Sequence, residues 1–328
     1  MFETKMTEML GVKYPIQCGT MHGLTTAEVV GPFASAGCLC CLPSAYYETK
    51  EELLDEVEKV RDQTDEPFGI NVGLFPEMRV TVTAEERIDW VIESGVKILE
   101  TAGRSPEPQR KQIADGGLIH IHKCARVRDA IKAEKVGVDI VSVVGTECGG
   151  HPSMEEVGFI VLIPAAIDAT TIPLIAGGGI CDGRSMVAAL ALGAAGVNIG
   201  TRFMATREFP IHQGFKDLLI SADEKETLLV MKSLRNPSRV LRTPWSAKIL
   251  EMEGDETSGW TPGTPTAFVE DPFDERSPAF SPDGSFLAYA SNESGRYVVY
   301  VRPFPGPGGT WLVSADGGLW PTGSKTRP

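Results

Sequence analysis

The chain has 328 residues, 42% of them hydrophobic and 23% charged, with a formal net charge of −13 at pH 7. That composition is ordinary for a globular protein, and the length allows one large barrel or one domain with a smaller companion. Lys and Arg are scattered among an excess of acids, which argues against a basic stripe for nucleic acid.

The N-terminal stretch MFETKMTEMLGVKYP lacks the basic start and apolar core of a secretion signal, so a cytoplasmic protein is expected. The most apolar run, GFIVLIPAAIDATTIPLIAGGG, is broken by two prolines and an aspartate and does not make a membrane span. Seven cysteines, at 18, 38, 40, 41, 124, 148 and 181, are an odd set without the two C-x-x-C pairs of a zinc ribbon. They read as reduced thiols, most of them packed as small hydrophobes, and no metal site is expected.

In chain order, eight short apolar runs alternate with helix-patterned segments: YPIQCGT, GCLCCL, PFGINVGL, VKILETA, LIHIHKC, VDIVSVVG, IPLIAGGG and GVNIGT. In the helical segment 49–65, Leu53, Leu54, Val57 and Val60 fall on one face. Asp182 is placed to cap the helix of DGRSMVAALALGAAG, whereas Pro32 falls where the first helix after a strand should run and should kink it. Apolar strands each followed by a helix imply parallel strands buried on both faces. Eight such units in residues 1–253 predict a (β/α)8 TIM barrel. A doubly wound sheet is the rival, but no G-x-G-x-x-G follows the first strand. Residues 254–270, rich in Gly, Pro, Thr and acids, read as a linker. Residues 271–328 read as a short all-β tail of about four strands.

Barrel enzymes place their chemistry at the C-terminal ends of the strands, and phosphate sites often follow strands seven and eight. Strand seven ends in Gly177, Gly178 and Gly179, and strand eight in Gly200 and Thr201. Bare main-chain amides on two successive rims suit a phosphate. His151, in the stretch GTECGGHPS, admits three readings from its neighbourhood alone: catalytic group, metal ligand or turn cap. His120 and His122 share one face of their strand, opposite Lys123, and should face the helix layer.

The stretches YPIQCGTM, PFGINVGL, IHKCARVRDAIKAEKVGVD, ECGGHP, LIPAAID and IPLIAGGGICDGRSMVAALALGAAGVNIGTRFMATRE carry a resemblance. Residues 1–253 resemble the nitronate monooxygenase (2-nitropropane dioxygenase) family of FMN-dependent barrels, closest to a bacterial branch that includes an NADH:quinone reductase. The resemblance implies FMN, with its phosphate on Gly178, Gly179, Gly200 and Thr201. It further implies Met21 against the flavin ring, Asn71 hydrogen-bonded to it, Lys123 at its pyrimidine edge and His151 as the catalytic group. The implied reaction is oxidation of alkyl nitronates with O2. NAD(P)H:quinone reduction, with NAD(P)H as electron donor, is the alternative, and an enoyl-thioester reductase a further one. A catalytically inactive barrel acting through its tail is the non-enzymatic alternative. The tail, in FSPDGSFLAYAS and VYVRPFPGPGGTWLVSADGG, resembles the propeller repeat of Tol-type periplasmic proteins, and one such blade cannot close a ring.

Overall fold

The computed structural model describes residues 3–74, 82–254, 275–280, 286–294, 296–303 and 310–313. The chain divides into two compact units, Met1–Asp223 and Glu224–Pro328.

The first unit opens with a short helix, α1 (Lys5–Leu10), followed by eight strands. These are β1 (Ile16–Cys18), β2 (Cys41–Pro43), β3 (Gly69–Leu74), β4 (Ile98–Gly103), β5 (Ile119–Cys124), β6 (Ile140–Val144), β7 (Leu174–Gly177) and β8 (Gly196–Ile199). Between them run α2 (Ala27–Ser35), α3 (Lys50–Arg61), α4 (Ala84–Ser94), α5 (Arg110–Asp115), α6 (Val127–Lys135), α7 (Phe159–Ala169) and α8 (Gly183–Ala191). After β8 come α9 (Thr201–Met204) and α10 (Gln213–Ser221). The strands pair in parallel in the order β1-β8-β7-β6-β5-β4-β3-β2. A parallel bridge between Gln17 and Leu39 closes the ring, with the Cys18 amide donating to the Leu39 carbonyl at 2.8 Å. The fold is a (β/α)8 barrel, and each of the eight apolar runs holds all or all but one residue of a strand.

Local sequence explains the helix starts. Thr49 with Glu52 and Thr83 with Glu86 form reciprocal capping boxes, and so does Asp182 with Ser185. On α3, Leu53, Val57 and Val60 are fully buried and Leu54 half-buried. Pro32 lies within α2 and Pro164 within α7, and both helices continue past them. In α2 the buried side chains of Val29, Val30, Phe33 and Ala34 hold a segment that has given up one main-chain donor.

The core has an inner and an outer layer. Inside the ring, Leu39, Cys41, Ile98, Ile121, Ile140 and Ile175 pack with Met6, Leu10 and Val12. Outside it, the other faces of the strands meet the helices in two further apolar clusters. Gly196 leaves room for the inner layer: a Cβ there would collide with the Met6 sulfur and sit 2.9 Å from the Pro15 carbonyl oxygen.

In the second unit, β9 (Thr227–Val230) and β10 (Ser238–Leu241) form an antiparallel hairpin followed by α11 (Pro244–Gly254). The Glu253 carboxylate ties helix to hairpin, accepting from the Met231 amide at 2.7 Å and the Ser233 amide at 3.1 Å. Residues 224–253, read from sequence as part of the barrel, fall in the second unit. Apart from Gly254, the stretch read as a linker lies outside the described residues. The tail contains a four-stranded antiparallel sheet, β11 (Glu275–Phe280), β12 (Phe286–Ser291), β13 (Val298–Pro303) and β14 (Trp311–Leu312). Among the described residues no helix is long and apolar enough to cross a membrane.

Candidate active site

Four loops converge at the C-terminal ends of the strands. After β7 the chain turns through Gly178 (φ 103°) and Gly179 (φ 71°), left-handed backbone that only glycine adopts without strain. A Cβ on Gly178 would lie 3.0 Å from both the nitrogen and the oxygen of Gly145, at the end of β6, and one on Gly179 would lie 3.2 Å from Cβ of Glu147. The β6–α7 loop therefore packs directly on the β7 rim. Its Glu147 carboxylate accepts the Phe159 amide at 2.9 Å and so caps α7.

The β8 rim completes the cradle. Gly200 precedes α9, and a Cβ there would meet open space, whereas a Cβ on Gly149 would lie 3.2 Å from the Thr201 hydroxyl. The Gly19 amide donates to the Ile199 carbonyl at 2.8 Å, which draws in the loop after β1. Gly178, Gly179, Gly200 and Thr201 are thus brought together, with the His151 loop against them through Gly149. The His151 side chain is exposed at this surface, and the following Pro152 is buried. The first amides of a helix have no partner within it, so the start of α9 beside bare Gly178 and Gly179 suits an anionic group. The fit to a phosphate is good: the main chain is accessible where a ligand must approach and tight where the loops must touch.

Beneath this rim the barrel interior is polar. The carboxylate of Glu100, on β4, is fully buried. Its Oε1 accepts from the Thr20 hydroxyl at 2.7 Å and the Asn71 side-chain amide at 2.8 Å, and lies 3.2 Å from Nζ of Lys123. Its Oε2 accepts from the Gln17 amide at 2.5 Å. Asn71 on β3 and Lys123 on β5 therefore meet on one oxygen. Across the ring, the Asn198 amide donates to the Ser142 hydroxyl at 3.5 Å. Met21 is half-buried at the start of the β1–α2 turn, where its amide donates to the Thr25 hydroxyl at 3.2 Å. His22 beside it is exposed, its ring edge-on to Tyr46 at 5.8 Å.

Glu100 is the residue that the sequence did not single out. Alternation puts it on the same face of β4 as Ile98, which the structure turns into the barrel. His120 and His122 lie, as expected from alternation, on the opposite face of β5 from Ile121 and Lys123. Both rings are buried, and the Thr101 hydroxyl lies 2.7 Å from Nε2 of His120 and 2.8 Å from Nδ1 of His122. Burial, helped by the charges of His122 and Arg110, pushes His120 down to about 3, and burial pushes His122 down to about 4 against the pull of Asp129 and Glu100. With both rings neutral, the hydroxyl donates to one and accepts from the other. All seven cysteines are free thiols, and burial is the main force raising those of Cys38 and Cys124, to about 11 and about 12. Among the described residues no group of three or more His, Cys, Asp or Glu side chains is placed to hold a metal ion.

Comparison with known proteins gives this arrangement a lineage. The sequence model described as nitronate monooxygenase matches residues 3–76 and 74–261. The chain belongs to the nitronate monooxygenase family. The family is one of oxidoreductases. A probable nitronate monooxygenase of Staphylococcus aureus is 29% identical over 292 residues, covering 77% of this chain and 82% of that protein. A 5-hydroxy-7a-methyl-1-oxo-octahydro-1H-indene-4-carboxyl-CoA dehydrogenase of Rhodococcus jostii is 34% identical, covering 73% of this chain and 66% of that protein. Among solved structures, FabK from Thermotoga maritima superposes with a TM-score of 0.72 at 33% identity, covering 77% of this chain and 79% of that one.

Proposed function

We propose that the barrel binds FMN and oxidises alkyl nitronates with O2. The observation that carries this reading is the convergence of two glycine rims and the His151 loop on one cradle, above a buried layer that presents a cation and an amide. Bound there, FMN would take electrons from the substrate and pass them to O2. The main-chain amides at Gly178, Gly179, Gly200 and Thr201 hold the phosphate. Asn71 hydrogen-bonds the ring system, and the Lys123 ammonium offsets negative charge that develops on it. Met21 packs against the ring and excludes water from one side. His151 donates a hydrogen bond to the nitro oxygens of an anionic substrate, or takes a proton at its imidazole from a neutral nitroalkane.

A second reading has its own support. The Rhodococcus jostii relative is a dehydrogenase of a carboxyl-CoA compound. On that reading the same cradle serves redox chemistry on a CoA-linked acid, and His151 orients the thioester end.

The visible spectrum of the purified protein decides first. A yellow protein, or a colourless one that takes up added FMN, supports flavin binding, and refusal of FMN returns the barrel to the inactive-module alternative. Anaerobic addition of a nitronate, of NADH and of an acyl-CoA then separates the reactions. Bleaching by nitronate alone supports the first reading, bleaching by NADH the quinone reductase, and bleaching by acyl-CoA the dehydrogenase.

A further inference from the structure

We infer that Glu100 is a positioning residue, whose carboxylate holds the Lys123 ammonium and the Asn71 amide in one orientation at the barrel mouth and tempers the lysine's charge toward the bound flavin. Only the last part rests on the flavin reading.

Burying this group is costly. A carboxylate enclosed in a barrel loses its hydration, and an apolar side chain would fill the same place without that loss. It persists only with a full set of donors, and Glu100 has one from each of four places. These are Gln17 on β1, Thr20 in the loop that follows it, Asn71 on β3 and Lys123 on β5. A carboxylate offers about four acceptor positions. Three of the four crowd onto Oε1, and the carboxylate is wholly enclosed, so it is out of a substrate's reach, which separates positioning from direct catalysis.

Its partners are not saturated. An ammonium has three donors and a carboxamide two, with an acceptor besides. One bond to Glu100 leaves Lys123 and Asn71 able to reach a ligand while fixing where they stand. Lys123 is a fifth exposed, against none for Glu100, so the accessible member of the pair is the cation. Gln17 adds an independent observation. Its amide turns its nitrogen to Glu100 and leaves its own buried oxygen without a hydrogen-bond partner. A buried polar atom has been left unsatisfied to complete the shell of the carboxylate.

The test is Glu100→Gln, which preserves shape and removes charge. In FMN-free protein, acetylation of Lys123 by an acetyl ester at fixed pH, followed by mass spectrometry, should speed up about tenfold, because the side chain is no longer tied to the carboxylate and can reach the ester. In FMN-loaded protein, the ratio of affinities for reduced and oxidised FMN should rise about tenfold, since the lysine's charge is no longer offset. Unchanged acetylation in a folded variant overturns the holding role, and an unchanged affinity ratio overturns the tempering role. Should Glu100→Gln not fold, the double variant Glu100→Gln/Lys123→Met should recover folding in urea titration. A double variant as unstable as the single one overturns the pairing. Failure of the flavin reading shows separately, as a wild-type protein that refuses FMN, and the acetylation arm still decides whether Glu100 holds Lys123.

Discussion

Ile98 and Glu100 stand two residues apart on β4, and alternation points both into the barrel, yet their surroundings have nothing in common. Around Ile98 lie Ile121, Ile140, Ile175 and the Met6 and Leu10 side chains of α1. Around Glu100 lie Gln17, Thr20, Asn71 and Lys123. The same strands thus build an apolar floor and, one step along, a polar layer beneath the mouth. The floor needs only volume and shape, so its residues are interchangeable within packing limits. The polar layer needs matched donors and acceptors, so each of its members depends on the others.

Breaking the polar layer should have the largest effect on stability. Lys123→Met leaves a buried carboxylate one partner short and should lower the unfolding free energy by ~3–5 kcal/mol, read in urea titration. A loss below about 1 kcal/mol would place the pair in water. Acid should act on the outer side of the same strands, through His120 and His122. Their folded values lie below the usual 6.5, so the unfolded chain takes up protons first as pH falls. The stability that these neutral rings provide is complete above about pH 6.5 and drains away toward pH 4 and 3, by about 2 kcal/mol per ring between pH 7 and 5. His120→Gln/His122→Gln should flatten that slope, and a slope unchanged by the double variant would assign it to carboxylates instead.

Two changes sharpen the contrast from opposite ends. His151→Ala, at the rim, should keep the flavin colour and slow turnover by about 100-fold, the usual scale for losing an acid–base group. Undiminished turnover would remove the histidine from the reaction. Gly196→Ala, in the floor, should cost about 1–3 kcal/mol by overpacking against Met6 and the Pro15 carbonyl, with FMN affinity unaltered. A change in FMN affinity there would show that floor and rim are not separable.

The barrel was readable because each strand is an apolar run long enough to stand out, and each following helix has a stripe or a cap, as Asp182 shows. Proline was the poorer guide: Pro32 and Pro164 sit inside helices whose burial outweighs the lost donor. The β9–β10 hairpin escaped because TLLV and SRVL are short, and their connection has no Asn-Gly or Asp-Gly pair. Its positive φ angles fall on Met231 and Arg235, residues that rarely adopt them. The glycine rims were legible because glycine runs at two strand ends are themselves the signal. Glu100 was not, because its meaning lies in partners 83 and 80 residues earlier, 29 earlier and on the next strand. Such a cluster exists only once the ring has closed.

The approach of Gly149 to the Thr201 hydroxyl has a consequence for how the mouth evolves. The histidine arm leans on the phosphate cradle at a point where one chain contributes nothing but hydrogen. A side chain at 149 would need the Thr201 hydroxyl to give way by a few tenths of an ångström, or the two loops to part by as much. The spacing of the two loops is thus set at a position that carries no side chain, and it is what a substitution at 149 would alter first.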